Sequence, residues 1–166
     1  MTLTKKQASD IQETRVAEAL NWSKVTGSGS RHLYPGDVIS EFWIGECKTH
    51  VQPGHKIKFD IKVWEKLKNE AKSRFKFPAL FVDDGSQNLD KTWVMFASTM
   101  DITDIAHIFD CRCPVRSNMV FDGDYLYNHI RKNIDDGKSI VYQAMFNDSL
   151  VYVCTFRYFN MMFGED

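Results

Sequence analysis

Two segments of the chain carry apolar residues at helical spacing. Residues 7–20 form the first, and Ser9 or Asp10 is suited to cap the start of that helix. Residues 58–74 form the second, with polar residues covering the remaining faces. The apolar positions of this second stripe are Ile61, Trp64, Leu67 and Ala71. Both segments are therefore predicted to be amphipathic helices.

The other apolar segments are shorter, and most are typical of strands. The predicted strands cover residues 37–40, 41–50, 77–84, 91–98, 139–146 and 150–159. Two short helices are predicted over residues 101–109 and 123–135. Residues 25–36 are rich in Gly and Ser, with one Pro, and predict a loop. This order indicates an α/β protein with a soft boundary near residue 100.

Composition places the chain among ordinary globular proteins. Its 166 residues suffice for one domain with a core, and 43% hydrophobic and 26% charged residues are usual values for such a domain. No apolar run reaches the roughly 18–20 residues that span a bilayer, so no membrane partner is expected. The first fifteen residues lack the apolar core of a secretory signal, which predicts a cytoplasmic protein with reduced cysteines.

Charge is distributed unevenly along the chain. Residues 48–76 hold nine Lys or Arg and three Asp or Glu, a net charge of +6, whereas residues 77–166 have a net charge of -6. A local basic block predicts contact with a polyanion such as DNA. The candidate phosphate contacts are Lys56, Lys58, Lys62, Lys66 and Lys68. A solvated helix face is the alternative explanation of the same charges.

Three charged residues interrupt the predicted hairpin of residues 37–50. Because side chains alternate along a strand, Glu46 and Lys48 share one face, and Cys47 lies on the other. A turn near residues 40–41 would bring Asp37 beside Glu46 at one end of the hairpin. Two adjacent carboxylates repel each other unless a cation lies between them, and oxygen ligands favour Mg²⁺ or Mn²⁺. The alternative is a surface salt bridge between Glu46 and Lys48, with Asp37 as a turn residue.

A lysine beside such a metal site is suited to phosphodiester hydrolysis. The metal would polarise the phosphate and acidify a bound water, and Lys48 would orient that water or stabilise developing charge. "PGDV" followed by "IGECK" resembles the PD-(D/E)XK nuclease signature. The wider order "QETRVAEAL … TGSGSR … PGDV … IGECK … WEKLKNEA" resembles the archaeal and phage Holliday junction resolvases. The resemblance covers roughly residues 7–97.

The resemblance implies a fold and a set of site residues. The implied fold is a restriction-endonuclease-like core over residues 1–100, a mixed sheet flanked by helices. Residues 101–166 lie beyond the resemblance and are predicted to form an α+β extension that packs on the core. The implied catalytic residues are Glu13, Asp37, Glu46 and Lys48, of which the three carboxylates bind the metal. Glu18 competes with Glu13, since the two point about 140° apart on the helix.

The Gly/Ser loop supplies further candidates for DNA binding. Its backbone amides and hydroxyls are suited to a phosphate, with Arg31 adding positive charge. The resemblance implies that Ser28 and Ser30 contact DNA in this loop, whereas a flexible connection is the alternative. In the unmatched C-terminal part, His107, Cys111 and Cys113 are interpreted as buried structural residues, because one C-x-C pair is weak support for zinc.

These observations lead to one main hypothesis and two alternatives. The main one is a Mg²⁺-dependent endonuclease that cuts branched double-stranded DNA, a Holliday junction resolvase acting as a homodimer, in a bacterial cytoplasm if a phage encodes it. A nuclease that acts on flaps or ends would use the same residues. A catalytically inactive DNA-binding or phage-assembly module is the non-enzymatic alternative, and the intact set of charged residues argues against it.

Overall fold

The computed structural model describes residues 2–25, 35–131 and 137–166. In these residues the strands are β1 (Ser23–Lys24), β2 (Val38–Ile39), β3 (Trp43–Lys48), β4 (Ile57–Phe59), β5 (Phe77–Val82), β6 (Trp93–Phe96), β7 (Ala106–Val115), β8 (Met119–Phe121), β9 (Ser139–Phe146) and β10 (Ser149–Thr155). The helices are α1 (Lys5–Leu20), α2 (Ile61–Ser73), α3 (Gly123–Arg131) and α4 (Phe156–Phe163).

The main sheet of the described chain has the strand order β1-β2-β3-β5-β6-β10-β9-β7. Its β3–β5 and β7–β9 pairs are parallel, and the other pairs are antiparallel. Strands β4 and β8 form a separate antiparallel pair. The fold is therefore a mixed sheet with helices, as the predicted α/β class required. The sheet continues across residue 100, because β6 pairs with β10.

Two hydrophobic clusters lie on opposite faces of the main sheet. One contains the buried face of α1 and the aromatic residues of α4, packed against Trp22, Trp43 and Phe81. The other contains the apolar stripe of α2, packed against Leu80 and Met95. The sheet is thus covered on both faces, which explains why its central strands β5 and β6 are almost continuously apolar.

Helix α1 begins earlier than predicted. Thr4 is the N-cap, and its side chain accepts a hydrogen bond from the N–H of Gln7, whose side chain accepts one from the N–H of Thr4. This reciprocal pair is a capping box, and it satisfies donors that an uncapped helix would leave open. The prediction that Ser9 or Asp10 caps the helix was wrong. Helix α2 begins at Ile61 after the N-cap Asp60, later than predicted.

Three predictions for the C-terminal part were also wrong. Residues 106–109 belong to strand β7 rather than a helix, and the last strand ends at Thr155, immediately before α4 begins at Phe156. Thr155 caps α4 by accepting a hydrogen bond from the N–H of Tyr158. The aromatic residues that suggested a strand instead lie on a helix, and Phe159 packs edge-on to Trp43. Cys111 is exposed, contrary to the expectation that it is buried.

Within the described residues, no helix is both long enough and apolar enough to cross a membrane.

Candidate active site

The β2–β3 hairpin places Asp37 next to Glu46. Val38 pairs with Gly45 in antiparallel register, so the next pair outward is Asp37 and Glu46. The N–H of Asp37 donates to the carbonyl of Gly45 at 2.8 Å, and the carboxylate of Asp37 accepts the N–H of Cys47 at 2.8 Å. The prediction of a hairpin with its turn near residues 40–41 is confirmed. Asp37 is held by this hydrogen bond and is only 9% exposed.

The alternation of faces along β3 is also confirmed. Ile44 packs in the cluster that contains α2, whereas Cys47 packs in the cluster that contains α1. Glu46 and Lys48 therefore lie on the same side of the sheet as Ile44. Gly45 permits the close approach of the neighbouring strands, because a Cβ there would lie 2.5 Å from Val38 Cγ2.

Lys48 and Glu46 form an ion pair within the site. The Nζ atom of Lys48 donates to Oε1 of Glu46 at 2.6 Å. Burial lowers the pKa of Lys48, but the charge and hydrogen bond of Glu46 and the charge of Asp37 outweigh burial, so the pKa is raised overall. Lys48 is therefore positively charged at neutral pH. It can donate hydrogen bonds to an anion, but it cannot accept a proton.

Helix α1 brings a third carboxylate, that of Glu13, within electrostatic range of this group. Burial is the largest cause that raises the pKa of Glu13 to about 7, and the negative charge of Asp37 is the next. The side chain of Glu13 is 14% exposed, whereas Glu18 is exposed on the other side of the helix. Of the two glutamates, Glu13 is the one beside Asp37. Its role as a metal ligand stays a prediction.

Asp37 is also electrostatically strained. Burial raises its pKa to about 6, together with repulsion from Glu46, while the N–H of Cys47, Lys48 and Lys24 act in the opposite direction. Two carboxyl groups of one site thus change protonation close to neutral pH. Such an arrangement favours the binding of either a proton or a cation. Carboxylates with pKa values perturbed in this way are concentrated at functional sites.

The chemistry of this donor set fits a hard divalent cation, since all three candidate ligands are carboxylates. The side chains themselves are not arranged as a complete metal site. In residues 2–25, 35–131 and 137–166, no group of three or more His, Cys, Asp or Glu side chains is close enough to hold a metal ion. One oxygen of Asp37 faces Cys47, and one oxygen of Glu46 faces Lys48.

No protein-family model, curated protein or solved structure matches this chain. The geometry of the site therefore carries the functional argument.

Two residues beside this site, Lys24 and Gln12, were not predicted from the sequence. The Nζ atom of Lys24 lies 3.9 Å from Oε2 of Glu13 and 3.1 Å from Oγ1 of Thr14, and it also pairs with Asp10. Only the pairing of β1 with β2 brings Lys24 to α1, and a two-residue strand gives no periodic signal.

Gln12 links helix α1 to the strand that carries Lys48. It is 1% exposed, and its side-chain amide donates to the carbonyl oxygen of Lys48 at 2.9 Å. Its position four residues from the buried Ala8 and Val16 was a signal that could have identified it, since a polar residue in an apolar stripe needs a partner. This hydrogen bond fixes the position of Glu13, the next residue, relative to β3.

Replacing Lys24 should change the titration of Glu13. Lys24→Met removes the positive charge that lowers the pKa of Glu13, so that pKa should rise above about 7. NMR titration of carboxyl-labelled glutamate measures it directly. Lys91→Met is the matched control, because Lys91 pairs with Asp124 instead. An unchanged Glu13 titration in Lys24→Met would contradict the placement of β1 against α1.

The lysines of the basic block differ in their surroundings. Lys58 and Lys62 are exposed, whereas Lys66 lies 3.7 Å from Glu70. The Nζ atom of Lys68 donates to Glu65 at 2.9 Å and to Ser149 at 2.8 Å.

Lys56 lines a cavity of about 100 Å³ together with four aspartates, which makes it the least favourable of the five lysines for binding a phosphate. The aspartates are Asp84, Asp90, Asp122 and Asp124.

The candidate DNA contacts of the Gly/Ser loop, Ser28, Ser30 and Arg31, lie outside the described residues.

Proposed function

We propose that this protein is a divalent-metal-dependent endodeoxyribonuclease with a restriction-endonuclease-like core. The observation that carries the proposal is the pairing of Asp37, Glu46 and Lys48 on one hairpin, together with the electrostatic effect of Asp37 on the half-buried Glu13 of α1. Burial raises the pKa values of Glu13 and Asp37, with repulsion from Asp37 adding to it at Glu13 and repulsion from Glu46 adding to it at Asp37; a bound cation would relieve this destabilisation. A surface salt bridge between Glu46 and Lys48 alone would not require a third, half-buried carboxylate.

Each residue of the site has a distinct part in this proposal. Asp37, Glu46 and Glu13 would hold Mg²⁺, or Mn²⁺, which supplies polarisation of the scissile phosphate and a more acidic water. Asp37 presents one oxygen to the site, because its other oxygen accepts the Cys47 N–H. Lys48 is already charged and donates a hydrogen bond, so it is suited to orient the water or to bind a phosphate oxygen.

The proposed substrate is branched double-stranded DNA, and the four-way Holliday junction is the preferred form. Two symmetric incisions need two copies of the site, which a C2 homodimer supplies. The proposal places the protein in the cytoplasm, that of a bacterial host if a phage encodes it. Flaps or ends as substrates, and a non-cutting DNA-binding or phage-assembly role, are alternative outcomes of the experiment below.

The deciding experiment is incubation of the protein with a four-way junction, a flap and a linear duplex. Mg²⁺ or Mn²⁺ should support paired nicks across the branch point, Ca²⁺ should support binding without cutting, and EDTA should abolish cutting. Sedimentation of the complex tests the homodimer. Cutting that persists in EDTA would contradict the metal-dependent mechanism. Binding with every metal, but no cutting, would favour the inactive DNA-binding module.

Salt dependence should distinguish a DNA-binding helix from a solvated one. Lys62→Gln should lower the slope of log affinity against log salt by about 0.9 on duplex DNA, since one phosphate contact is lost. Lys68→Gln is the matched control with a smaller expected effect, because Lys68 is engaged by Glu65 and Ser149. Equal slopes for wild type and Lys62→Gln would favour the solvated face.

A further inference from the structure

Phe75 occupies a position in the fold that a phenylalanine is poorly suited to fill. It follows the C-cap of α2, and its φ is 57°, in the left-handed region. Glycine or asparagine usually ends a helix in this way, and a bulky residue there strains the backbone. The side chain is 98% exposed, so burial of the ring offers no compensation. Neither local conformation nor packing accounts for the ring.

The turn that carries Phe75 is joined to the turn between β2 and β3. The N–H of Phe77 donates to the carbonyl of Phe42 at 2.8 Å. The Nζ atom of Lys76 donates to the carbonyls of Ser40 at 2.6 Å and Glu41 at 2.5 Å. The two turns therefore form one surface, on which Phe42 is also exposed, by 56%. We call this surface, formed by residues 40–42 and 72–76, the aromatic tip.

The aromatic tip is basic. Residues 72–76 contain Lys72, Arg74 and Lys76 and no acidic residue, and Lys72 and Arg74 are exposed. Glu41 is the one acidic residue of the tip. A site for an apolar protein partner would surround its aromatic rings with further apolar side chains. Exposed rings among positive charges are instead the combination that binds unpaired nucleobases, through stacking and phosphate contacts.

The aromatic tip lies at the opposite end of β3 from Lys48. The parallel register pairs Trp43 with Phe77 and Lys48 with Val82, so the two ends are five residues apart, about 17 Å. Helix α2 connects these parallel strands, with Lys62 near its first turn and the tip after its last. A DNA strand that follows α2 from the catalytic end would reach Phe75 after about five nucleotides, at ~3.4 Å each.

We propose that Phe75 stacks on an unpaired base of the DNA substrate, at or next to a branch point. The proposal rests on the proposed function for the class of ligand, and it adds a binding site away from the catalytic residues. Preference for branched over linear DNA then comes partly from this contact, because a fully paired duplex offers no unstacked base to the ring.

The test measures stacking with 2-aminopurine placed at an unpaired position next to the branch of a junction or flap. Binding is measured in Ca²⁺ or EDTA, so cleavage plays no part in the result. The wild-type protein should quench the fluorophore. Phe75→Asn should lose the quenching and weaken binding to branched DNA about tenfold, while affinity for linear duplex changes little. Phe75→Trp should restore both.

Two controls separate stacking from a folding defect. Asparagine is well tolerated at positive φ, so Phe75→Asn should unfold at the wild-type temperature or above it. Tyr125→Asn removes a ring that is 74% exposed on α3 and should leave quenching unchanged. Wild-type behaviour of Phe75→Asn, or a wild-type protein that binds none of these DNAs, would overturn the proposal. Quenching by a protein that never cuts DNA would support the stacking site and refute the nuclease.

Discussion

Asp37→Asn and Glu46→Gln should each reduce DNA cleavage by about a hundredfold or more while leaving DNA affinity largely intact. Each substitution removes a charged metal ligand and adds no negative charge near the DNA, so the loss falls on the chemical step. The amide side chain of Asp37→Asn retains an oxygen that can accept the Cys47 N–H, so the hairpin should persist. Single-turnover cleavage and equilibrium binding in Ca²⁺ measure the two quantities separately.

Glu18→Gln is the matched control, since Glu18 is an exposed acid on α1 that lies outside both the carboxylate site and the aromatic tip. It should cut DNA at the wild-type rate. Lys48→Ala should resemble the two carboxylate variants, because the proposed role of Lys48 lies in the chemical step. Full activity in Asp37→Asn or Glu46→Gln would remove the metal site from the mechanism.

The same carboxylates should make the protein more stable at mildly acidic pH than at pH 8. The folded-state pKa values of Glu13 and Asp37 are raised to about 7 and about 6, from ordinary values of 4.5 and 3.8. A carboxyl with a raised pKa binds its proton more tightly in the folded state, so stability falls as the pH rises from its ordinary pKa through its folded-state pKa. Stability should therefore rise as pH falls from 8 towards 5 and these groups become protonated.

Thermal unfolding measures this effect, and Asp37→Asn tests the contribution of a single carboxylate to it. Removing one of the repelling charges should raise the midpoint at pH 8 by at least about 2 °C, the shift for ~1 kcal/mol in a domain of this size. The gain should shrink near pH 5. Glu18→Gln, an exposed position on the same helix as Glu13, should show neither effect.

The pH dependence of cutting should run in the opposite direction to that of stability. The protonated carboxyls bind a cation weakly, so cleavage should rise between about pH 6 and pH 8 as Glu13 and Asp37 ionise. Asp37→Asn should therefore be both more stable and less active, as is common where function requires repelling charges. A destabilised Asp37→Asn at pH 8 would contradict the placement of the three carboxylates.

Elements with a local signal were predicted correctly from the sequence. The hairpin of β2 and β3 follows from a polar turn between two apolar segments, and the alternation along β3 follows from strand geometry alone. The buried stripe of α2 follows from its 3.6-residue period. Asp37, Glu46 and Lys48 lie within one local hairpin, so their neighbourhood was also predictable from the residues between positions 37 and 48.

Other features depend on contacts between distant parts of the chain. The segment of residues 101–109 has helix-like spacing, but residues 106–109 pair with β9. Ala106 and Ile108 pack in the hydrophobic cluster that contains α1. Pairing and burial there outweigh the local pattern. In the same way, α4 is helical because Thr155 caps it and its aromatic residues pack with Trp43.

The sequence by itself determined the hairpin and the helices α1 and α2, because periodicity and turn composition act between near neighbours. The tertiary structure decided the electrostatics of the site. It alone brings Lys24 to α1 and Gln12 to β3, buries Glu13 beside Asp37, and raises the pKa values of both carboxyls. Burial and Coulomb repulsion depend on distances in space, and residues 13, 24 and 37 meet only when α1 packs against the edge of the sheet.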